Sequence, residues 1–154
     1  MESSASGAEH TLAVGVAAGL ERLIGLFRLL SPPDGLSLTA AATLATLERS
    51  GPRRLTALAV QEGVTQPAMT QLIGRLQESG LVRREADPAD GRVVQVRLTD
   101  QGRERLARRR AVRAERLAGV LARISPQDRA ALAAALPAIE ALASAQRDGA
   151  LANT

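Results

Sequence analysis

The chain has 154 residues, enough for one domain with a sizeable buried core, and combines 45% hydrophobic residues with a net charge of +4 and a single aromatic residue, Phe27. It has no cysteine, which excludes a disulfide framework, a thiol nucleophile, a cysteine-based metal site and a thiol redox sensor. No apolar run approaches the roughly 20 residues of a membrane span, and the opening MESSASGAEH lacks the basic-then-apolar order of a secretory signal, so a cytoplasmic protein is expected.

All 20 basic residues are arginine. Its forked guanidinium suits phosphate or guanine, although a GC-rich coding sequence would also favour arginine over lysine. The distribution of charge says more. Between Arg83 and Arg116 eleven arginines stand against six carboxylates, whereas residues 1–50 carry three against five. A local basic surface points to a polyanion; the plainer reading of any charge run is a solvated helix face.

Residues 1–10 are expected to form a flexible arm. From Thr11 to Leu30, Leu12, Val16, Leu20, Leu23, Phe27 and Leu30 recur three or four apart, one stripe along a long helix. SPPDG stops it. A second helix is expected from about Thr39, as its cap, to Arg49, with Leu44 and Leu47 inward, and SGP ends it.

The stretch LTALAVQEGVTQPAMTQLIGRLQESG predicts a short helix over Thr56–Gln61, a turn at EGV and a longer helix over Gln66–Glu78. Met69, Leu72, Ile73 and Leu76 fall at i, i+3, i+4 and i+7 and form its buried face. The opposite side carries Pro67, Gln71 and Gly74, flanked by Thr70 and Arg75. Counted from Leu55, a small residue (Ala59) is fifth, a glycine (Gly63) ninth and an apolar residue (Met69) fifteenth. That is the spacing of two helices crossing closely through a tight turn, a helix-turn-helix.

LVRRE and VVQVRL then flank ADPADGR. Val94, Val96 and Leu98 alternate with Val93, Gln95 and Arg97, and this period of two around an Asp, Pro and Gly turn predicts an antiparallel hairpin. A helix-turn-helix followed by a hairpin is a winged helix. Thr99 is expected to cap a long basic helix running to about Ile124, with Leu106, Leu117, Leu121 and Ile124 on one side. Ser125, Pro126 and Asp128 start another, whose stripe is Leu132, Leu136, Ile139 and Leu142. Pro137 should bend or break it. No internal repeat occurs, and residues 148–154 read as a flexible tail.

The expected fold is mainly α (α+β): a winged helix-turn-helix with long N- and C-terminal dimerisation helices. In this order of elements, over roughly Leu12 to Arg147, the chain resembles the MarR family of bacterial transcriptional regulators. The most specific segment is DPADGRVVQVRLTDQG, from Asp87 through Gly102, which is similar to the family's wing motif. The resemblance implies a single domain over 11–147, with the winged helix-turn-helix at 36–99 and dimerisation helices at 11–31 and 100–147. It implies a homodimeric repressor on a pseudo-palindromic duplex, with Gln66, Pro67, Ala68, Thr70, Gln71 and Arg75 where the recognition helix meets DNA.

The resemblance also makes Arg92 the wing arginine that enters the minor groove, with Asp90 holding its side chain. A guanidinium gains from the negative potential of a narrow groove, and a carboxylate that fixes its rotamer beforehand lowers the cost of binding. Gln66 and Gln71 suit paired contacts with adenine, against the plainer reading of solvated glutamines. Arg83, Arg84 and Arg97 divide between phosphate contacts and pairing with Glu85. Arg108, Arg109, Arg110 and Arg113 read as a solvated face of the long helix, with a phosphate contact as the alternative.

A small, often aromatic or phenolic, anionic ligand that shifts the half-site spacing is a further implication of the resemblance. Arg28 and His10 lie on or near the first helix, within reach of such a pocket, although surface exposure is their plainer fate. No cofactor and no metal are expected. Other function classes fare worse. An enzyme is disfavoured by one histidine, no tyrosine and no phosphate loop, and Asp87 and Asp90 are explained by turn geometry. A binder of single strands or RNA would stack bases on aromatic rings, and the one aromatic residue here, Phe27, falls on the apolar stripe of the first helix. A nonspecific or architectural duplex binder, or a winged helix used for protein contact, is the alternative.

Overall fold

The structure, a computed structural model, describes residues 2–87, 91 and 93–152, with side chains over 7–145 of that set. It divides into two compact units, Met1–Pro33 and Asp34–Thr154. The first is one helix, α1 (Glu2–Leu30). It takes in residues 2–10, expected as a flexible arm. That segment has no proline to interrupt a helix, and the Thr11 hydroxyl donates to the Gly7 carbonyl at 2.9 Å. Leu12, Val16, Leu20, Leu23 and Phe27 are all exposed within the protomer.

The second unit begins with α2 (Leu38–Ser50). Its cap is Ser37 rather than the expected Thr39: the Ser37 hydroxyl accepts the Ala40 N–H at 3.1 Å, while Thr39 is already helical. Leu44 and Leu47 are buried as expected. The strands β1 (Arg53–Arg54), β2 (Val82–Ala86) and β3 (Val94–Leu98) form an antiparallel sheet in the order β1-β3-β2. The register sets Val82 opposite Leu98 and Arg84 opposite Val96. Val82, Val96 and Leu98 face the core, together with α2, α3 (Leu55–Gln61) and α4 (Gln66–Glu78).

The long helix α5 (Asp100–Leu121) leaves the sheet at a tight joint. Thr99 ties three segments together there. Its hydroxyl donates to the Gly80 carbonyl at 2.7 Å and accepts the Gly102 N–H at 3.0 Å, while its own N–H donates to the Leu81 carbonyl at 3.1 Å. Gly102 packs directly against that carbonyl. A Cβ at 102 would overlap the Leu81 oxygen and stand 2.6 Å from Leu98 Cδ1.

The arginine run of α5 is not a uniformly solvated face. Arg109 is buried, and its guanidinium donates to the Asp34 carboxylate, which Arg105 Nε also approaches at 3.5 Å. Arg110 pairs with Glu48 of α2 at 2.6 Å, and Arg108 is exposed. Arg105, Arg109 and Arg110 meet carboxylates in the loop and helix of residues 34–50, so at these positions counter-charges replace hydration. Burial pushes the Asp34 pKa up, but hydrogen bonds from Arg109 and the Leu36 N–H, with the charges of Arg109 and Arg105, outweigh it and hold the carboxyl below its usual 3.8.

The final helix, α6 (Pro126–Ala152), starts as expected: the Ser125 hydroxyl accepts the Asp128 N–H at 3.0 Å. It is not broken at Pro137 and covers part of the expected tail. The carbonyl that a proline four residues on leaves unbonded belongs to Ala133, which is exposed to solvent. Leu132, Leu136, Ile139 and Leu142 are half-exposed.

Two outcomes follow from these contacts. Gly102→Ala should lower stability by about 2 to 3 kcal/mol, the cost of overpacking against fixed backbone, read as a lower urea midpoint; an unchanged midpoint would mean that the joint relaxes freely. Asp34→Asn, which leaves buried Arg109 without its counter-charge, should cost about 3 kcal/mol at neutral pH. Because the native pKa is depressed, that contribution is complete well above pH 3.8 and disappears as pH falls through the lower native value. The gap between wild type and Asp34→Asn should therefore close on acidification.

Candidate nucleic-acid interface

The helix-turn-helix is built by α3, a turn and α4. Ala59 is buried in α3 and Met69 in α4, and the two helices pack together. A small side chain at 59 is what lets them cross closely. Gly63 makes the turn at φ +63°, a left-handed conformation that favours glycine. Its N–H donates to the Val60 carbonyl at 3.1 Å, and the Val64 N–H to the Ala59 carbonyl at 3.0 Å. Thr65 then caps α4, its hydroxyl accepting the Ala68 N–H at 3.4 Å, with Pro67 in the first turn, where its missing N–H costs nothing.

α4 has two distinct faces. Met69, Leu72, Ile73 and Leu76 are buried, the first and third completely. Gln66, Pro67, Ala68, Thr70, Gln71 and Arg75 are all exposed on one continuous side. The Thr70 hydroxyl donates to the Gln66 carbonyl at 2.9 Å, so it presents a methyl group and oxygen lone pairs outward, with its proton already used. Arg75 has no ion pair among the described residues.

The wing is the β2–β3 hairpin. Its last described rung is the Asp87 N–H donating to the Val93 carbonyl at 2.8 Å, reinforced by Gln95 Nε2 donating to the Asp87 carboxylate at 2.6 Å. Asp90 and Arg92, the residues expected at its tip, lie outside the described residues. The three hairpin arginines separate cleanly. Arg97 Nε binds Glu85 at 2.5 Å and Arg83 reaches the same carboxylate at 3.4 Å, whereas Arg84 is exposed with no ion pair among the described residues.

Strand β1 was not foreseen: a two-residue strand is too short to show a period of two. It puts Arg53 and Arg54, both exposed, beside β3. The three strands thus hold five arginines and one carboxylate, a net charge equal to the +4 of the whole chain. One glutamate is shared by two of them, so the sheet carries a net positive charge, divided between its two faces. A composition-level charge has become a located one.

A model of the MarR family matches residues 36–94, from the start of α2 into β3. An HTH-type transcriptional regulator of Mycobacterium bovis is 34% identical over 131 residues, covering 85% of this chain and 92% of that protein. The chain belongs to the MarR family. It is a DNA-binding transcriptional regulator on the winged-helix fold expected from its sequence. Among solved structures, a transcriptional regulator of Pseudomonas aeruginosa PA01 superposes with a TM-score of 0.72 at 28% identity, covering 88% of this chain and 95% of that one. BpsR of Bordetella bronchiseptica, whose DNA binding is regulated by 6-hydroxynicotinic acid, shares the fold at a TM-score of 0.58 and 22% identity, over 83% and 91% of the two chains. Among the described residues no helix is long and apolar enough to cross a membrane.

The turn carries a direct test of the local geometry. A Cβ at Gly63 would meet nothing within 4 Å, so any effect of substitution there is conformational. Gly63→Ala should cost about 1 to 2 kcal/mol, the penalty of a left-handed alanine, and Gly63→Asn less. Equal urea midpoints for all three would show that the turn adopts another conformation.

Proposed function

We propose that the protein is a homodimeric repressor that binds a pseudo-palindromic operator, with α4 of each subunit in a major groove. The observation that carries this reading is the two-sided α4: its apolar side is spent on the core, and what remains outward is a continuous strip of Gln66, Pro67, Ala68, Thr70, Gln71 and Arg75. Gln66 and Gln71 offer paired contacts to adenine, Arg75 a forked contact to guanine or phosphate, and the outward methyl of Thr70 a contact for thymine. Arg92, positioned by Asp90, enters the minor groove beside them, and Arg83, Arg84 and Arg97 add positive charge along the wing.

Dimerisation is supported by apolar surface that a lone protomer leaves in water. Leu12, Leu20 and Leu23 of α1 are 66%, 46% and 53% exposed, and Leu136, Ile139 and Leu142 of α6 are 58%, 51% and 53% exposed. Stripes of this length call for cover, and a second copy covers both through the same helices. Two-fold symmetry of the protein is then mirrored in the operator, with half-sites about 34 Å apart. Release by a small anionic aromatic compound is the regulation favoured by the family, in line with the ligand of BpsR. The cytoplasm is where such a regulator meets its DNA.

Fluorescence anisotropy of a labelled duplex from the gene's own upstream region, titrated beside a scrambled duplex at several salt concentrations, tests the reading. A preference of about a thousandfold, with affinity falling steeply as salt rises, is expected. Arg92→Ala should weaken operator binding by about 1 to 3 kcal/mol. Equal weak binding to both duplexes would favour a nonspecific duplex binder, and a monomer at micromolar concentration by light scattering would remove the paired-groove geometry.

A further inference from the structure

The first turns of α4 are poor in hydrogen-bond donors. The start of a helix ordinarily offers free N–H groups, which suit phosphate. Here Pro67 has none, the Ala68 N–H is taken by the Thr65 hydroxyl at 3.4 Å, and the Met69 N–H by the Thr65 carbonyl at 3.0 Å. The side chains continue the pattern. Thr70 spends its proton on the Gln66 carbonyl at 2.9 Å, so of Pro67, Ala68 and Thr70 none has a side-chain proton left to donate. At about 3.6 residues per turn, Pro67 and Gln71 lie on the midline of the exposed face, opposite Met69, Leu72, Ile73 and Leu76, with Thr70 beside both. Gly74, one turn further on, adds no side chain. The middle of the face is therefore a proline ring and a threonine methyl, next to one amide.

We propose that Pro67 and Thr70 select thymine in each half-site through its C5-methyl group, with Gln71 on a neighbouring adenine, so that apolar contact determines part of the operator sequence. The inference rests on the duplex-binding reading above and deepens it, by naming the DNA group that is recognised. Of the four bases only thymine brings a methyl group to the major groove. A guanine set against the same patch would lose water from its O6 and N7 acceptors and gain no donor from Pro67 or Thr70, and an acceptor left unpaired in this way is penalised. Selection is thus for carbon and against unpaired acceptors. The competing chemistry is a hydrogen bond from an amino group of cytosine or adenine to the Thr70 lone pairs.

The test uses the full chain and the two labelled duplexes above, each also made with deoxyuridine in place of thymidine, which removes the methyl groups and keeps every base pair and charge. Affinity for the upstream duplex should fall about fourfold for each methyl contacted, and so about fifteenfold over two half-sites. The scrambled duplex should be unaffected, and the salt dependence unchanged, because no phosphate contact is lost. Thr70→Ser keeps the hydroxyl and removes the methyl; it should weaken binding to the thymine form and leave the uracil form as it was. Thr70→Val keeps a methyl outward and should retain the thymine-to-uracil ratio. Loss of the upstream preference in Thr70→Val would assign recognition to the hydroxyl and overturn the proposal, as would an equal loss on both forms in Thr70→Ser. A wild type that prefers the upstream duplex but binds its uracil form equally well fails only this inference. One that binds upstream and scrambled thymine duplexes alike fails the parent reading, and this one with it.

Discussion

The joint at Thr99 and Gly102 is the contact on which the rest of the second unit depends. A helix must leave the end of β3 without disturbing the pairing of β2 and β3, and it must start within contact distance of the backbone at Gly80 and Leu81. Only a residue without a Cβ fits at 102. Thr99 satisfies a helix N–H, the Gly80 carbonyl and the Leu81 carbonyl at once, so the end of α4, the wing and the start of α5 are fixed to one another by a single residue. This gives the Leu-Thr and Gly of the wing motif a mechanical meaning. The direction of α5 is set by the same atoms that close the hairpin.

Further along α5 the fixing becomes electrostatic. Arg109 is drawn into the core side of the helix by Asp34, with Arg105 beside it and Arg110 reaching Glu48. A buried ion pair adds little net stability over an apolar one, but it penalises every arrangement in which one partner is left alone. Two clamps, one steric at the start of α5 and one ionic two turns on, therefore hold it against the loop and helix of residues 34–50.

The positive charge is arranged with equal economy. Arginines that serve the fold have carboxylates: Arg97 and Arg83 share Glu85, Arg110 has Glu48, and Arg105 and Arg109 have Asp34. Those without a partner among the described residues include Arg53, Arg54, Arg75 and Arg84, all on the winged helix.

The sequence by itself determined the elements whose signal is local. The period of the apolar residues in Gln66–Glu78 specified a helix and its buried face, the alternation around ADPADGR specified the hairpin, and the spacing of Ala59, Gly63 and Met69 specified the crossing of α3 and α4. Such patterns depend on residues within a few positions of one another, and that range is what periodicity can see. Tertiary structure decided the matters that depend on partners distant in sequence. Arg109 looked like a member of a solvated run because its carboxylate, Asp34, lies 75 positions away. No local pattern marks Arg53 and Arg54, because the strand that gives them a place, β3, is made some forty residues later. Whether a charge is hydrated, neutralised or left for a ligand is settled by what the fold brings within a few ångströms of it, and no window of local sequence contains that information.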